Sequence, residues 1–384
     1  MAISVVEARP RHLVFLITED WFFVSHFLPM ARAAREMGLD VTVIARVRDH
    51  QAAIEATGAR VVALEAERRS LNPLAILKTW LDLRRLLRAE QPDILHCIAL
   101  RSIILGGLAA PRYAATVHAL TGLGFLGART DLPGRAARGV VKAFLRVFLD
   151  GKRTRYLFEN EDDARSLGLD PNDRTKVALA GGAGVDLNEY PLTPLPAQET
   201  LKIAVVARML WSKGIDTAVE ALGLARAKGA LVTLSLYGAP DPSNPKAVPE
   251  ITLQQWNELP GISWHGATRD VPAVWRAHDV ACLPSRGGEG LPRTLLEAGA
   301  CGRAIVTTNV PGCRRLVRDG VEGLIVPPND AQALAEAFVS LAENHARVAQ
   351  MGAAARKRIE SEFTERHVMD TVKGLYADLI KERP

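Results

Sequence analysis

Along the first half of the chain a short apolar run is followed repeatedly by a longer stretch with apolar residues at helical spacing: HLVFLI then FLPMARAAREMG, DVTVIAR then HQAAIEATG, DILHCIA then RSIILGGLAA. Such alternation predicts a parallel sheet with helices on both faces. AATVHA and YLFEN add two strand candidates, each ending in polar residues. Sheets of this kind bind ligands beyond the carboxyl ends of their strands, which places Thr18, Glu19, His118 and Asn160 where chemistry is expected.

A second series begins at LKIAVVAR and runs through TLSLYG, GISWHG, VACLPS, AIVTTN and GLIVPP, again with helical patterns between. The two series are joined by YPLTPLPAQE (Tyr190 to Glu199), whose prolines suit a linker rather than a regular element. The expected fold class is therefore α/β with two doubly wound, Rossmann-like domains, residues 1–195 and 196–363. The last stretch, roughly Thr364 to Ile380, is amphipathic at helical spacing and can pack on either domain.

Composition agrees with this division. At 384 residues the chain exceeds one ordinary core, and 48% hydrophobic with 24% charged residues is the balance of a soluble globular protein. No apolar stretch is long enough to cross a bilayer, and MAISVVEARPRH lacks the features of a secretory signal, so a cytosolic protein is expected. Cys97, Cys282, Cys301 and Cys313 have no metal-ligand or redox spacing and read as small apolar residues. Net charge is only +5, yet residues 134–155 hold seven basic residues against one acid, Asp150. One local patch of that kind points to a membrane surface or an anionic ligand rather than to nucleic acid.

The chemistry concentrates in VACLPSRGGEGLPRTLLEAGACG. A buried strand runs into a glycine-rich loop, Pro292 stands at the start of a helix, and RTLLEAGA continues it. The amides near Gly290, Leu291, Arg293, Thr294 and Leu295, with the helix dipole, suit a diphosphate. Glu297, one turn in, can accept hydrogen bonds from vicinal hydroxyls such as those of a ribose; Glu289 faces whatever lies beyond the phosphates. Gly287, Gly288 and Gly290 around Glu289 permit close backbone approach to a ligand, which a plain turn carboxylate would not require. In AVVARMLWSKGID, Arg208 and Lys213 follow a strand end and can converge on the same phosphates; Gly238 closes the neighbouring strand and is assigned to the nucleotide.

GGAGVD (Gly181 to Asp186), Arg208 with Lys213-Gly214, the spacing Glu289-x7-Glu297 and NVPGCRRLVRDGVEGLIVPPND together resemble glycosyltransferase family 4, retaining enzymes of GT-B fold in which two such domains face a central cleft. The resemblance implies a hexosyltransferase. It assigns Arg208 and Lys213 to the donor diphosphate, Glu297 to the donor ribose and Glu289 to the transferred sugar. His118 would face that sugar near the leaving phosphate, and the C-terminal helix (about 364–384) would cross back to the first domain. Many members carry a Gly-Gly pair in the first loop, where this chain has ITEDWFFVSHF, which leaves that loop open to the acceptor. Ala207 replaces a frequent glycine and Tyr190 a frequent phenylalanine.

No Asp-x-Asp occurs in the chain, so no metal or other cofactor is expected, and the cations with the helix N-terminus would stabilise the departing diphosphate. HALTGLGF (His118 to Phe125) and YLFENEDD (Tyr156 to Asp163) resemble a bacterial subset that extends glycans on polyprenyl diphosphate lipids, which implies a UDP-sugar donor carrying a hexose or N-acetylhexosamine. Between them, Arg135, Arg138, Lys142 and Arg146 form one helical stripe and Val141, Phe144, Leu145 and Phe148 another. Two readings stand: the helix lies on the inner face of an anionic cytoplasmic membrane and attracts a lipid diphosphate, or its apolar stripe packs on the sheet with the cations solvated. Trp21, Phe22 and Phe23, read as a loop after the first strand, are either a second such contact or core. Two rival functions are weaker: a UDP-sugar epimerase would need acid/base groups the sequence does not supply, and a non-catalytic glycan- or lipid-binding module leaves Arg208, Lys213, Glu289 and Glu297 unused. A nucleic-acid partner is not expected, because the basic helix lacks interleaved stacking aromatics.

Overall fold

A computed structural model describes residues 11–65, 72–122, 131–195, 199–241 and 244–382. The chain divides into two units: residues 1–121, 132–183 and 366–384 form the first, residues 122–131 and 184–365 the second.

The first unit is built on seven parallel strands in the order β3-β2-β1-β4-β5-β6-β7. These are β1 (His12–Glu19), β2 (Asp40–Arg46), β3 (Arg60–Ala63), β4 (Ile94–Ile98), β5 (Ala115–Leu120), β6 (Thr154–Phe158) and β7 (Val177–Leu179). The two edge strands β3 and β7 were not visible in the sequence, being four and three residues long and lacking a sustained apolar run. One face buries Phe15, Val43 and Val117 against the helix Leu28–Glu36 and the last helix, Glu365–Lys381, whose Tyr376 hydroxyl lies 2.7 Å from His96 Nδ1. On the other face lies the helix Ala99–Ala109, against which pack the helix Pro73–Glu90 and the π-helical turn Leu145–Leu149 that continues the helix Leu132–Phe144.

The segment after β1 is a helix, Asp20–His26, rather than a loop. Asp20 is fully buried and accepts hydrogen bonds from the amides of Trp21, Arg48 and His50; burial works to raise its carboxyl, but these bonds hold it below its ordinary value. Phe23 enters the core and Phe22 packs against it, which decides for core packing at these two positions. Ala99 opens its helix at φ +67°, a left-handed conformation that costs an L-residue with a Cβ roughly 1–2 kcal/mol. Ala99→Gly is therefore expected to raise the urea midpoint, by about 1 kcal/mol in unfolding free energy.

The second unit holds six parallel strands in the order β10-β9-β8-β11-β12-β13. They are β8 (Leu201–Val206), β9 (Val232–Tyr237), β10 (Ile262–Trp264), β11 (Val280–Leu283), β12 (Ala304–Thr308) and β13 (Gly323–Val326), the six runs read from the sequence. The units divide at Ala183/Gly184 and not near residue 195. The reason is that Val185 and Tyr190 are buried with Leu295, Leu296 and Phe363 of the second unit, and Val185 exchanges backbone hydrogen bonds with Phe363 and Glu365.

Candidate functional site

β11 delivers the chain into the loop Pro284–Pro292, and the helix Arg293–Ala300 follows. Two glycines let other segments close on this loop. A Cβ on Gly312 would lie 1.4 Å from the Gly290 carbonyl oxygen, and one on Gly214, itself at φ +70°, 2.0 Å from the Pro284 carbonyl oxygen. Arg286, to which the sequence analysis gave no role, staples the loop to the turn Trp211–Lys213. Its amide donates to Ser212 O (2.9 Å), its guanidinium to Trp211 O (2.7 Å) and to Asp216 (2.6 Å). Lys213 is thereby brought to Glu289, its Nζ 2.7 and 2.9 Å from the two carboxylate oxygens, while Ser285 Oγ donates to one of them at 2.8 Å.

The sequence read Lys213 and Glu289 as binders of separate ligand parts; here they form an ion pair. Arg208 stands half-exposed with Nη1 3.5 Å from Asp241, so it shares no anion with Lys213. Glu297 is only 6% exposed, with Arg293 Nε at 2.7 Å and the Tyr190 hydroxyl also bonded to it. Burial pushes its carboxyl above the ordinary value, against the opposing pull of Arg293 and Tyr190. In the first helical turn, the Leu295 amide already donates to Pro292 O at 3.0 Å, so it is not among the open anion donors; a 3₁₀-type bond tightens the turn. Thr294 Oγ1, by contrast, is buried with no hydrogen-bond partner. Leu291 packs its side chain in the core. Gly238, at φ +146°, is required for packing: a Cβ there would sit 1.8 Å from Ala207 O. Gly122, in the HALTGLGF motif, presses its backbone on the same loop, with a Cβ position 2.4 Å from Gly290 N. Leu123, Gly124 and Phe125 of that motif lie outside the described residues.

His118 does not end its strand, since β5 continues through Leu120. It faces the helix-covered side beside Cys97 and Tyr156, its ring edge-on to Tyr156 at 5.4 Å, fully buried with neither ring nitrogen hydrogen-bonded. Burial lowers its pKa to about 4, so at neutral pH its imidazole is uncharged. The unfolded chain binds this proton near 6.5 and the folded chain only near 4. Between those values the unfolded state holds more protons, and stability falls as pH falls, by about 3 kcal/mol across the window. Urea midpoints from pH 7 to 4 should show this fall, with a shallower slope in His118→Phe; an unchanged slope would contradict it. Elsewhere at the carboxyl edge, Glu19 is gripped by Arg46 at 2.7 Å and Asn160 caps the helix Glu161–Ser166. Among the described residues no three His, Cys, Asp or Glu side chains gather where they could hold a metal ion.

Residues 12–152 match the family described as glycosyl transferase 4-like, and residues 200–344 that described as glycosyl transferases group 1. The chain is 26% identical over 344 residues to the N,N'-diacetylbacillosaminyl-diphospho-undecaprenol alpha-1,3-N-acetylgalactosaminyltransferase of Campylobacter jejuni, covering 84% of this chain and 87% of that protein. It is 25% identical over 342 residues to the UDP-Gal:alpha-D-GlcNAc-diphosphoundecaprenol alpha-1,3-galactosyltransferase of Escherichia coli, covering 81% and 82%. In fold it is similar to Anabaena Alr3699/HepE, solved with UDP and glucose, at TM-score 0.75 and 17% identity over 95% of this chain and 99% of that one.

Proposed function

The chain belongs to the family 4 glycosyltransferases, with their GT-B fold, and on that premise we propose that it transfers a hexose or N-acetylhexosamine, with retention and without a metal, from a UDP-sugar to a glycan on a polyprenyl diphosphate lipid. The observation that carries the reading is the Lys213–Glu289 pair, fixed on the loop that feeds the helix Arg293–Ala300, whose first turn carries the unpartnered Thr294 hydroxyl. A donor diphosphate draws Lys213 and Arg208 to its oxygens and takes the Thr294 hydroxyl at the helix N-terminus. Glu289, released from the ammonium, is then able to accept from sugar hydroxyls, and Glu297 from the ribose. Charge developing on the leaving diphosphate is met by fixed cations, the role a metal ion fills in enzymes with an Asp-x-Asp pair. The acceptor hydroxyl passes its proton to the leaving phosphate on the same face, so no protein base is assigned, and His118 has no charge to contribute.

Supporting this acceptor are relatives named for diphospho-undecaprenol-linked sugars, together with the surface of the first unit. Leu145 and Leu149 of the π-helical turn are buried, but Val147 and Phe148 between them are 71% and 63% exposed, close to the exposed cations Lys142 and Arg146. The apolar stripe is thus buried in part and exposed in part. The helix Pro73–Glu90 exposes Leu74, Leu77 and Leu81 along one stripe, and the helix Ala99–Ala109 packs against both it and the π-helical turn. Apolar side chains set among cations suit an anionic bilayer, each cation near it contributing about 1 kcal/mol. On this reading the protein works peripherally at the inner face of the cytoplasmic membrane. The protein is expected to co-sediment with vesicles containing phosphatidylglycerol, and Phe148→Asp or Leu77→Asp to weaken that association several-fold; unaltered sedimentation in both would remove the membrane contact.

The function itself is tested with a panel of radiolabelled nucleotide sugars, bacterial membranes and EDTA. Label transferred to lipid from one UDP-sugar, with EDTA present, is the expected result. Inhibition by EDTA overturns the metal-free route, and donor consumed without labelled lipid overturns the acceptor.

A further inference from the structure

We infer that Tyr190 and Arg293 are positioning residues for the donor: together they fix the Glu297 carboxylate in one orientation on the helix Arg293–Ala300. The inference rests on the proposed use of Glu297 for the ribose and extends it to two residues that hold the carboxylate. Arg293 reaches Glu297 from the preceding turn, Nε to Oε1 at 2.7 Å, and its side chain is 35% exposed against 8% for Glu297. Tyr190 comes from outside the helix, on the segment that follows GGAGVD. It is 3% exposed, its ring lies in the apolar cluster with Leu295 and Phe363, and its hydroxyl is bonded to the carboxylate.

The Tyr190 backbone is held as firmly as the ring. Its amide donates to Asp186 O at 3.0 Å, and Arg356 donates both to Tyr190 O at 3.1 Å and to Ala300 O, the last residue of the helix that carries Glu297. The clamp is therefore referenced to both ends of that helix. A phenylalanine, frequent at this position in the resembled family, would fill the same apolar slot without the hydroxyl, so the added oxygen brings the bond to Glu297.

A carboxylate that must meet two vicinal hydroxyls gains from losing its rotational freedom before the ligand arrives. It must also stay ionised. Burial raises the Glu297 pKa and nearby Glu189 acts in the same direction, whereas Arg293 and the Tyr190 hydroxyl oppose them; Cys301, also close, is a neutral thiol raised to about 11. Removing either donor leaves the other to hold a mostly desolvated charge, so donor binding should weaken most on the acid side of neutrality.

Tyr190→Phe is expected to raise the donor KM about tenfold with kcat near wild type, the scale of one hydrogen bond to a charged group. The acid limb of kcat/KM should move to higher pH, and Arg293→Gln should do the same more strongly. Isothermal titration with UDP gives the same comparison without turnover, and thermal melts of each variant show that the fold is intact. If both variants keep wild-type UDP affinity and an unmoved acid limb while Glu297→Gln loses affinity, the positioning role is overturned and Glu297 works alone. If Glu297→Gln itself binds UDP as the wild type does, the donor-site reading fails, and the inference with it.

Discussion

Lys213→Ala is expected to lower kcat/KM by roughly a hundred- to thousandfold, the cost of removing one preorganised charge aimed at a developing anion. The loss should fall largely on kcat, because the ammonium is most valuable when the diphosphate departs. Stability should fall as well, since Glu289 would keep only the Ser285 hydroxyl at 2.8 Å and lose the two ammonium contacts. A partly buried carboxylate left short of partners costs about 1–3 kcal/mol. The double variant Lys213→Met with Glu289→Gln separates the effects: neutralising both partners should restore the urea midpoint while activity stays low. Activity that returned with stability would show that Lys213 holds the loop and does nothing to the donor.

Gly312→Ala should produce the second large effect, by a route that leaves every charge in place. Its Cβ would fall 1.4 Å from the Gly290 carbonyl oxygen and 3.1 Å from that of Glu289, so the loop has to move by more than an ångström. A displacement of that size in a site that depends on preset geometry costs on the order of a hundredfold in rate. The helix Pro311–Leu316 is short, and yielding there limits the loss of fold stability to about 1–3 kcal/mol. Measured kcat/KM near wild type would mean that the loop and helix can separate without consequence, and that Gly290 is not held in position by this contact.

The strands most easily read from the sequence were those with long apolar runs, such as DVTVIAR and LKIAVVAR, since a strand covered on both faces has little room for polar residues. β3 and β7 were missed because an edge strand pairs on one side only and needs few residues. At the candidate site, residue types and spacing identified Lys213, Glu289 and Glu297, but not who bonds whom. The Lys213–Glu289 pair spans 76 positions and is made by a glycine contact at Pro284, which no local pattern encodes. His118 shows the opposite limit: a polar residue near a strand end looks exposed, yet β5 runs two residues further and its side chain is buried. The π-helical turn at Leu145–Leu149 likewise broke the helical spacing on which Leu145 and Phe148 were assigned to one stripe, burying the first and exposing the second.

The first unit is not finished until residues 366–384 have been made. Its core face is closed by Val368, Val372, Tyr376 and Leu379, and Tyr376 meets His96 across 280 positions. Nearly all of the second unit, by contrast, lies in the stretch 184–365 that is made before them. During synthesis the later unit is thus free to fold first, while the earlier sheet waits with an apolar face uncovered, a span in which it depends on protection from aggregation. A chain released just after residue 365 would carry one folded half and one exposed core, and fragments ending near residue 183 should be recovered as aggregates rather than as an independent domain.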